Sequence, residues 1–190
     1  MPATKQRSTR EAILERAVDL ASEEGLEGLT IGRLASDLEM SKSGLFGHFG
    51  SKQDLQLATL LAARERFVAH VVSPVAEREP GGERLRALCD HYLDYMEAQV
   101  FPGGCFYATV AAEFDNRPGP VRDAVREGLE AWLGLLRSEA QAAGVEDPDQ
   151  LAFEVHSIAQ GANSAFQLFG DRKAFGRARA AIGRLLDAEL

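Results

Sequence analysis

The amino-acid sequence predicts an all-α protein of about nine helices, an N-terminal unit of three in front of a larger helical body. Three observations lead there. Apolar residues recur at three- and four-residue spacing through most of the 190 residues. No stretch alternates in the period-two manner long enough to make a strand. Helix-start signals stand ahead of the periodic runs, and Gly or Pro closes them.

Ser8 and Glu11 have the spacing of a capping box, so the first helix starts there. Ile13, Leu14, Ala17, Val18 and Ala21 form its apolar stripe, and Gly25 is its stop. Thr30 is the N-cap of the second helix, with Leu29 and Leu34 as a hydrophobic staple. Ile31, Leu34, Ala35 and Leu38 give it one buried face. A turn comes next at Leu38-Glu39-Met40, then Ser41 caps a third short helix. Its inner face is read as Leu45, Phe46 and Phe49, and Gly50 ends it. This is the sequence form of a helix-turn-helix.

Ser51 and Asp54 form another capping box, opening a long helix over about 52–72. Leu57, Leu60, Leu61, Phe67, Val68 and Val71 are its apolar content, read as core. A Pro/Gly-containing connection leads to a helix over about 83–100. Pro102-Gly103-Gly104 separates it from a short helix over 105–114, and the NRPGP segment breaks the chain again. Another long helix spans about 121–143. Asp147, Pro148 and Gln150 then supply a cap, a first-turn proline and a capping box for a helix ending at Gly170. The last helix covers about 173–186. The organisation is an N-terminal unit, 1–52, and a larger helical unit, 53–190, with the long helix from Ser51 shared between them.

A hydrophobic content of 45% with 26% charged residues is ordinary for a soluble globular chain. Cys89 and Cys105 are the only cysteines, which suggests free thiols in a reducing compartment. No run approaches the length of a membrane span, and no signal peptide is read, so a cytoplasmic protein is expected. The net charge is −8, but residues 1–52 hold seven cations against eight anions, leaving −7 in the remainder. The early cations gather at the extreme N-terminus (Lys5, Arg7, Arg10) and around the third helix. A locally positive face on an acidic body permits one orientation against a polyanion.

The third helix meets the requirements of major-groove recognition: small polar residues at its start and cations at its ends. Ser41, Lys42, Ser43 and Gly44 let the backbone approach, and Ser and Lys donate to bases or phosphates. His48 and Lys52 lie at the far end. The stretch Ser41-Lys42-Ser43-Gly44-Leu45-Phe46-Gly47-His48-Phe49-Gly50-Ser51-Lys52-Gln53-Asp54-Leu55 resembles the tetracycline-repressor (TetR) family of bacterial transcription regulators. The close match covers roughly the first 55 residues; beyond it, length and helix order agree. The resemblance implies that Thr30, Lys42, His48 and Lys52 contact phosphates, that Ser41, Ser43 and Gly44 face bases, and that Leu45 and Phe49 are core. The chain departs from the family pattern at Glu39, where Gly is common, and at Phe46, where Tyr is common; Gly47 offers only backbone.

The last two helices carry lines of small residues beside apolar flanks. Ser157, Gly161 and Ser164 lie on one, with Phe175, Ile182 and Leu186 flanking Gly176, Ala180 and Gly183 on the other. They are read as the homodimer interface, in keeping with the four-helix bundle that the resemblance implies. The middle helices hold most aromatics, and the resemblance implies a small-molecule cavity among them. Its expected lining is Tyr92, Met96, Phe106 and Trp132, with His91, His156 and Asn163 as polar handles. The effector is expected to be partly apolar. The expected protein is a ligand-responsive regulator of transcription, most often a repressor. It binds a palindromic operator in double-stranded DNA as a homodimer and is released by a small molecule.

Catalysis is not expected. Cys105 at a helix start and His91 or His156 as bases form no recognisable nucleophile elbow, phosphate loop or zinc spacing. No cofactor or metal is expected. A redox role for Cys105 and a ligand-independent helical DNA-binding or protein-interaction module, its core simply filled, are the competing readings.

Overall fold

A computed structural model describes residues 9–190. Ser8, expected to cap the first helix, and the cations Lys5 and Arg7 lie outside the described residues. The described residues form nine α-helices and no strand.

The first, α1 (Thr9–Gly28), does not stop at Gly25 but kinks there, with φ at +79°. A residue without a Cβ takes that conformation at little cost. Next come α2 (Ile31–Asp37) and α3 (Lys42–Phe49), then α4 (Lys52–Phe67). All three expected caps form: the Thr30, Ser41 and Ser51 side chains accept from the backbone N–H of Arg33, Gly44 and Asp54. The long fourth helix continues past Phe67 through a π-helical turn, Val68–Val72, and a 3₁₀ turn, Ser73–Val75.

The rest of the body is α5 (Gly82–Glu97), α6 (Phe106–Phe114), α7 (Pro120–Ala142), α8 (Pro148–Phe169) and α9 (Lys173–Glu189). The α5 helix ends three residues before the expected boundary, because Gln99 takes φ +51° and turns the chain. The α8 start is as expected, with Asp147 accepting from the Gln150 N–H and Pro148 in the first turn.

Helix α4 is the element common to both parts. It packs on α3 and α7, and α1 runs along it, from Lys52 and Gln56 at its start to Arg66 near its end. Helix α6 lies against both α1 and α7, while α5, α8 and α9 pack together behind them. Three residues expected in the core are instead on the surface: Phe46, Leu61 and Val68 are 52%, 58% and 38% exposed. Each directly neighbours a residue that does turn inward: Leu45, Leu60 and Phe67 are all buried. One step along a helix rotates a side chain by about 100°, enough to leave the core.

The turn between α2 and α3 places Glu39 at φ +53°. A left-handed conformation costs a residue with a Cβ about 1–2 kcal/mol, partly offset in glycine by its greater chain entropy. Glu39→Gly is therefore expected to raise the unfolding free energy by about 0.5–1 kcal/mol. A urea titration checks this, and an unchanged or lower midpoint would show that the turn carries no relievable strain.

Candidate functional site

Helix α3 turns Leu45 and Phe49 inward and leaves the rest of its length open. Ser41, Lys42, Ser43, Gly44, Phe46 and His48 are all exposed. Thr30 is exposed beside them at the start of α2. The Lys42 side chain runs back toward α2: a β-carbon built on Gly32 would lie 3.6 Å from Lys42 Nζ and 4.0 Å from Thr30 Oγ1. Ammonium and hydroxyl thus flank one bare patch of backbone. Phe46 was missed as a member of this face; an aromatic there offers apolar contact of the kind a thymine methyl accepts. The signal was its place three residues after Ser43, on one side of the helix.

Lys52 is placed differently from the others. Its ammonium donates to the Glu27 carbonyl at 2.9 Å and to the Glu27 carboxylate at 2.8 Å. Glu27 is in consequence held below the ordinary carboxylate range, first by the hydrogen bond from Lys52. That cluster belongs to a larger junction. The Glu113 carboxylate, from α6, sits under Gly25 and accepts the N–H groups of Leu26 at 2.7 Å and Glu27 at 2.9 Å. Gln56 donates to the Leu26 carbonyl at 2.8 Å. Beside it, the Gly103 N–H donates to Ser22 Oγ, and the loop comes so close that a β-carbon on Gly103 would lie 1.8 Å from the Ser22 carbonyl oxygen. The α1 end, the α4 start and α6 are joined by polar contacts that sequence reading did not anticipate.

A cavity of about 180 Å³ opens between α4, α5, α7 and α8. Tyr92, Trp132 and His156, three of the expected residues, line it. Met96, Phe106 and Asn163 do not. Met96 and Phe106 are buried in the core, and Asn163 uses its Oδ1 to accept the Cys105 N–H at 3.0 Å. His91 lies in a separate surface groove with Arg78 and Asp90. The wall also includes Phe67, Tyr95, Tyr107, Leu129 and Cys105, together with Arg64 and the π-turn residues Val68 and Val72. A π turn inside an α-helix is frequent at functional sites.

The cavity's polar lining is ordered by one chain of hydrogen bonds. Gln160 Nε2 donates to the Tyr92 oxygen at 2.7 Å, so the Tyr92 hydrogen is free for His156 Nδ1 at 3.1 Å. Burial lowers the pKa of His156 and keeps it a neutral acceptor. Burial likewise holds Tyr92 and Tyr95 well above the ordinary phenol range. The indole N–H of Trp132 lies near the Tyr92 hydroxyl but closes no hydrogen bond, and Gln160 Oε1 is also buried without a partner. Burial pushes the Cys89 thiol up to about 12, away from any nucleophilic role. Among the described residues no group of His, Cys, Asp or Glu side chains could hold a metal ion. Nor is any described helix long and apolar enough to cross a membrane.

The dimer residues divide. Ser157, Gly161 and Ser164 are exposed along one side of α8, and a β-carbon on Gly161 would meet nothing within 4 Å. Phe175, Ile182 and Leu186 are buried within the chain and cannot meet a second copy. The apolar side of α9 is used up against α8 and α5. The exposed apolar residues near the small line are instead Phe153, Leu168 and Phe169, at 65%, 76% and 77% exposure.

Comparison with known proteins decides the family. Residues 13–59 match the model for bacterial regulatory proteins of the tetR family, and residues 81–182 match that for the tetracyclin repressor-like C-terminal domain. The chain belongs to the TetR family. As a TetR-family member it is a DNA-binding regulator of transcription rather than an enzyme. It is 26% identical over 152 residues to the HTH-type transcriptional regulator TcmR of Streptomyces glaucescens, an alignment that covers 76% of this chain and 65% of that protein. A TetR regulator from Legionella pneumophila superposes with a TM-score of 0.83 at 20% identity, over 95% of this chain and 98% of that one. AibR, solved with isovaleryl coenzyme A and operator DNA, gives a TM-score of 0.72 at 23% identity, over 92% and 97%. These two likenesses concern the fold.

His156 sets a pH dependence whose sign comes from its burial. The unfolded chain takes up the imidazole proton near the ordinary value of 6.5, while the folded chain resists it to lower pH. Below about pH 6.5 the unfolded state binds more protons, so stability falls as pH drops and levels off beneath the folded pKa. Between about pH 7.5 and pH 5.5 the wild type is expected to lose more stability than His156→Gln. Urea midpoints at the two pH values check this; equal losses would sink it.

Proposed function

We propose that the chain acts as a homodimer on a palindromic operator, most often as a repressor, and that a small molecule in the cavity releases it. Residues 1–52 form the DNA-reading unit, and residues 53–190 the effector and pairing unit. The observation that carries this reading is that α4 runs from the end of α3 to the cavity wall, so one rigid element touches both. The junction of Glu113 with the kinked end of α1 adds a second tie through α6. A ligand that prefers one arrangement of these helices shifts the population of the other by its differential affinity.

In this reading α3 enters the major groove, with Ser41, Ser43 and Gly44 toward base edges. Phe46 adds an apolar contact, and Thr30, Lys42 and His48 meet phosphates. Lys52 joins them once its ammonium leaves Glu27. Two copies place their α3 helices about 34–36 Å apart, one helical turn of DNA. The open side of α8, with Ser157, Gly161 and Ser164 between Phe153 and Leu168, is the pairing face. The relative AibR, bound to a coenzyme A thioester and to operator DNA in its solved complex, lends support to a family member serving both partners. DNA as the partner and no membrane-crossing helix among the described residues agree with action in the cytoplasm.

Selection of genomic fragments on the purified protein supplies the operator, and two variants then test the assignment. Lys42→Ala is expected to weaken specific and unrelated DNA alike and to reduce the salt slope of binding by about one. An unchanged slope would remove Lys42 from the phosphate contacts. Gly161→Glu, at a position with open space around it, is expected to give monomers in sedimentation and to lose operator binding while keeping its helical spectrum. A dimer that persists would move the interface off this face of α8.

A further inference from the structure

We infer that the cavity accepts a small aryl or arylalkyl carboxylate, its ring against Phe67, Tyr92 and Trp132 and its carboxylate at Arg64. The inference rests on the reading of this cavity as the effector site and names the class of ligand.

Size and wall chemistry set the apolar half. A dry cavity of about 150 Å³ holds one benzene ring. The volume here, about 180 Å³, suits a ring with a short substituent. Aromatic rings already pack around it: Phe67 and Trp132 meet edge to face with centroids 5.3 Å apart, and Tyr92 and Trp132 are tilted with centroids 4.6 Å apart. A further ring continues that packing at favourable offset or edge geometry.

Charge sets the other half. Among the described residues, Arg64 is the only charged side chain on the cavity wall, since His156 is neutral. Among the described residues its guanidinium has no ion-pair or hydrogen-bond partner, unlike Arg66 two residues on, which bonds Asp19. No carboxylate of the described residues lines the cavity, so a cationic ligand would find no counter-charge among them and would face Arg64 instead. A carboxylate matches the planar guanidinium fork and gains a charge-assisted pair at the edge of a low-dielectric site. A neutral hydrocarbon would leave that cation unused.

A second observation points to a bound oxygen deeper in. Trp132 is 6% exposed, lines the cavity, and its Nε1–H has no acceptor. A buried donor left unpaired is costly, and native structures seldom keep one without reason. A ring oxygen, as in a hydroxyaryl acid, would satisfy it. A sugar or polyol does not fit, because nearly all of the remaining wall is aromatic or aliphatic.

The chain contains one tryptophan, Trp132, so its fluorescence reads this cavity alone. The test titrates the full-length protein with 3-phenylpropanoate, its methyl ester and hexanoate, in wild type and Arg64→Gln, and repeats each titration with operator DNA bound. Because Arg64 is exposed and unpaired, Arg64→Gln is expected to fold with an unchanged thermal midpoint. The acid is expected to bind about tenfold or more tighter than its ester, a preference that Arg64→Gln abolishes while ester binding stays the same. Hexanoate is expected to bind more weakly than the aryl acid. The assignment is overturned by an ester that binds as well as the acid, by a preference that survives Arg64→Gln, by hexanoate matching the aryl acid, or by no response of Trp132 to the acid. The regulatory reading fails separately: an acid that binds through Arg64 yet leaves operator affinity unchanged removes the release mechanism and keeps the ligand class.

Discussion

The carboxylate of Glu113 beneath the kink of α1 is the interaction on which the relation between the two parts of the molecule depends. Gly25 turns the backbone so that the N–H groups of Leu26 and Glu27 point out of their own helix, and Glu113 takes both. Hydrogen bonds to a charged acceptor are worth about 1.5–3 kcal/mol each, more than a neutral pair. The same short segment then reaches α4: Leu26 offers its carbonyl to Gln56, and Glu27 holds Lys52 with both its carbonyl and its carboxylate. Helices from both parts of the molecule are therefore bound together around one turn of chain. The helix-turn-helix is not tethered loosely to the body behind it.

An acidic protein that binds DNA has to solve an electrostatic problem, and this chain solves it by local arrangement. The overall charge of −8 repels a polyanion at long range. Several acidic groups of the N-terminal part are already occupied: Asp37 by Arg16 and Arg33, Glu24 by Arg33, and Glu27 by Lys52 and Arg117. Pairing discharges the surface around α2 and α3, while Lys42 and His48 remain exposed at the two ends of α3. The body behind keeps its negative charge, which favours the approach that presents α3 first.

Local signals in the chain were legible, and long-range ones were not. Caps and stops are short-range chemistry, and Thr30, Ser41, Ser51 and Asp147 all formed the hydrogen bonds that their spacing implied. The exposed ridge of α3 came from the same logic. Which aromatics line a cavity and which fill the core depends on where helices distant in sequence cross. Tyr92 and Met96 lie on the same side of α5, one turn apart, yet one reaches the cavity and the other does not. The α9 residues expected at the dimer interface turn inward for a related reason: an apolar stripe on α9 reads identically whether it meets α8 of its own chain or a second copy. Phe175, Ile182 and Leu186 went to the first, and only the exposed residues of α8 were left over. Glu113 and Arg64 had no local signature at all.

The π turn at Val68–Val72 is the place where the connecting helix accommodates an extra residue. A π turn carries one residue more than an α turn would in the same place. Losing that residue would restore regular helix while turning the chain through nearly the same angle, so the helix beyond would keep its direction. The connecting segment can therefore take up or shed one residue at this turn and still hold the two ends of the molecule in line.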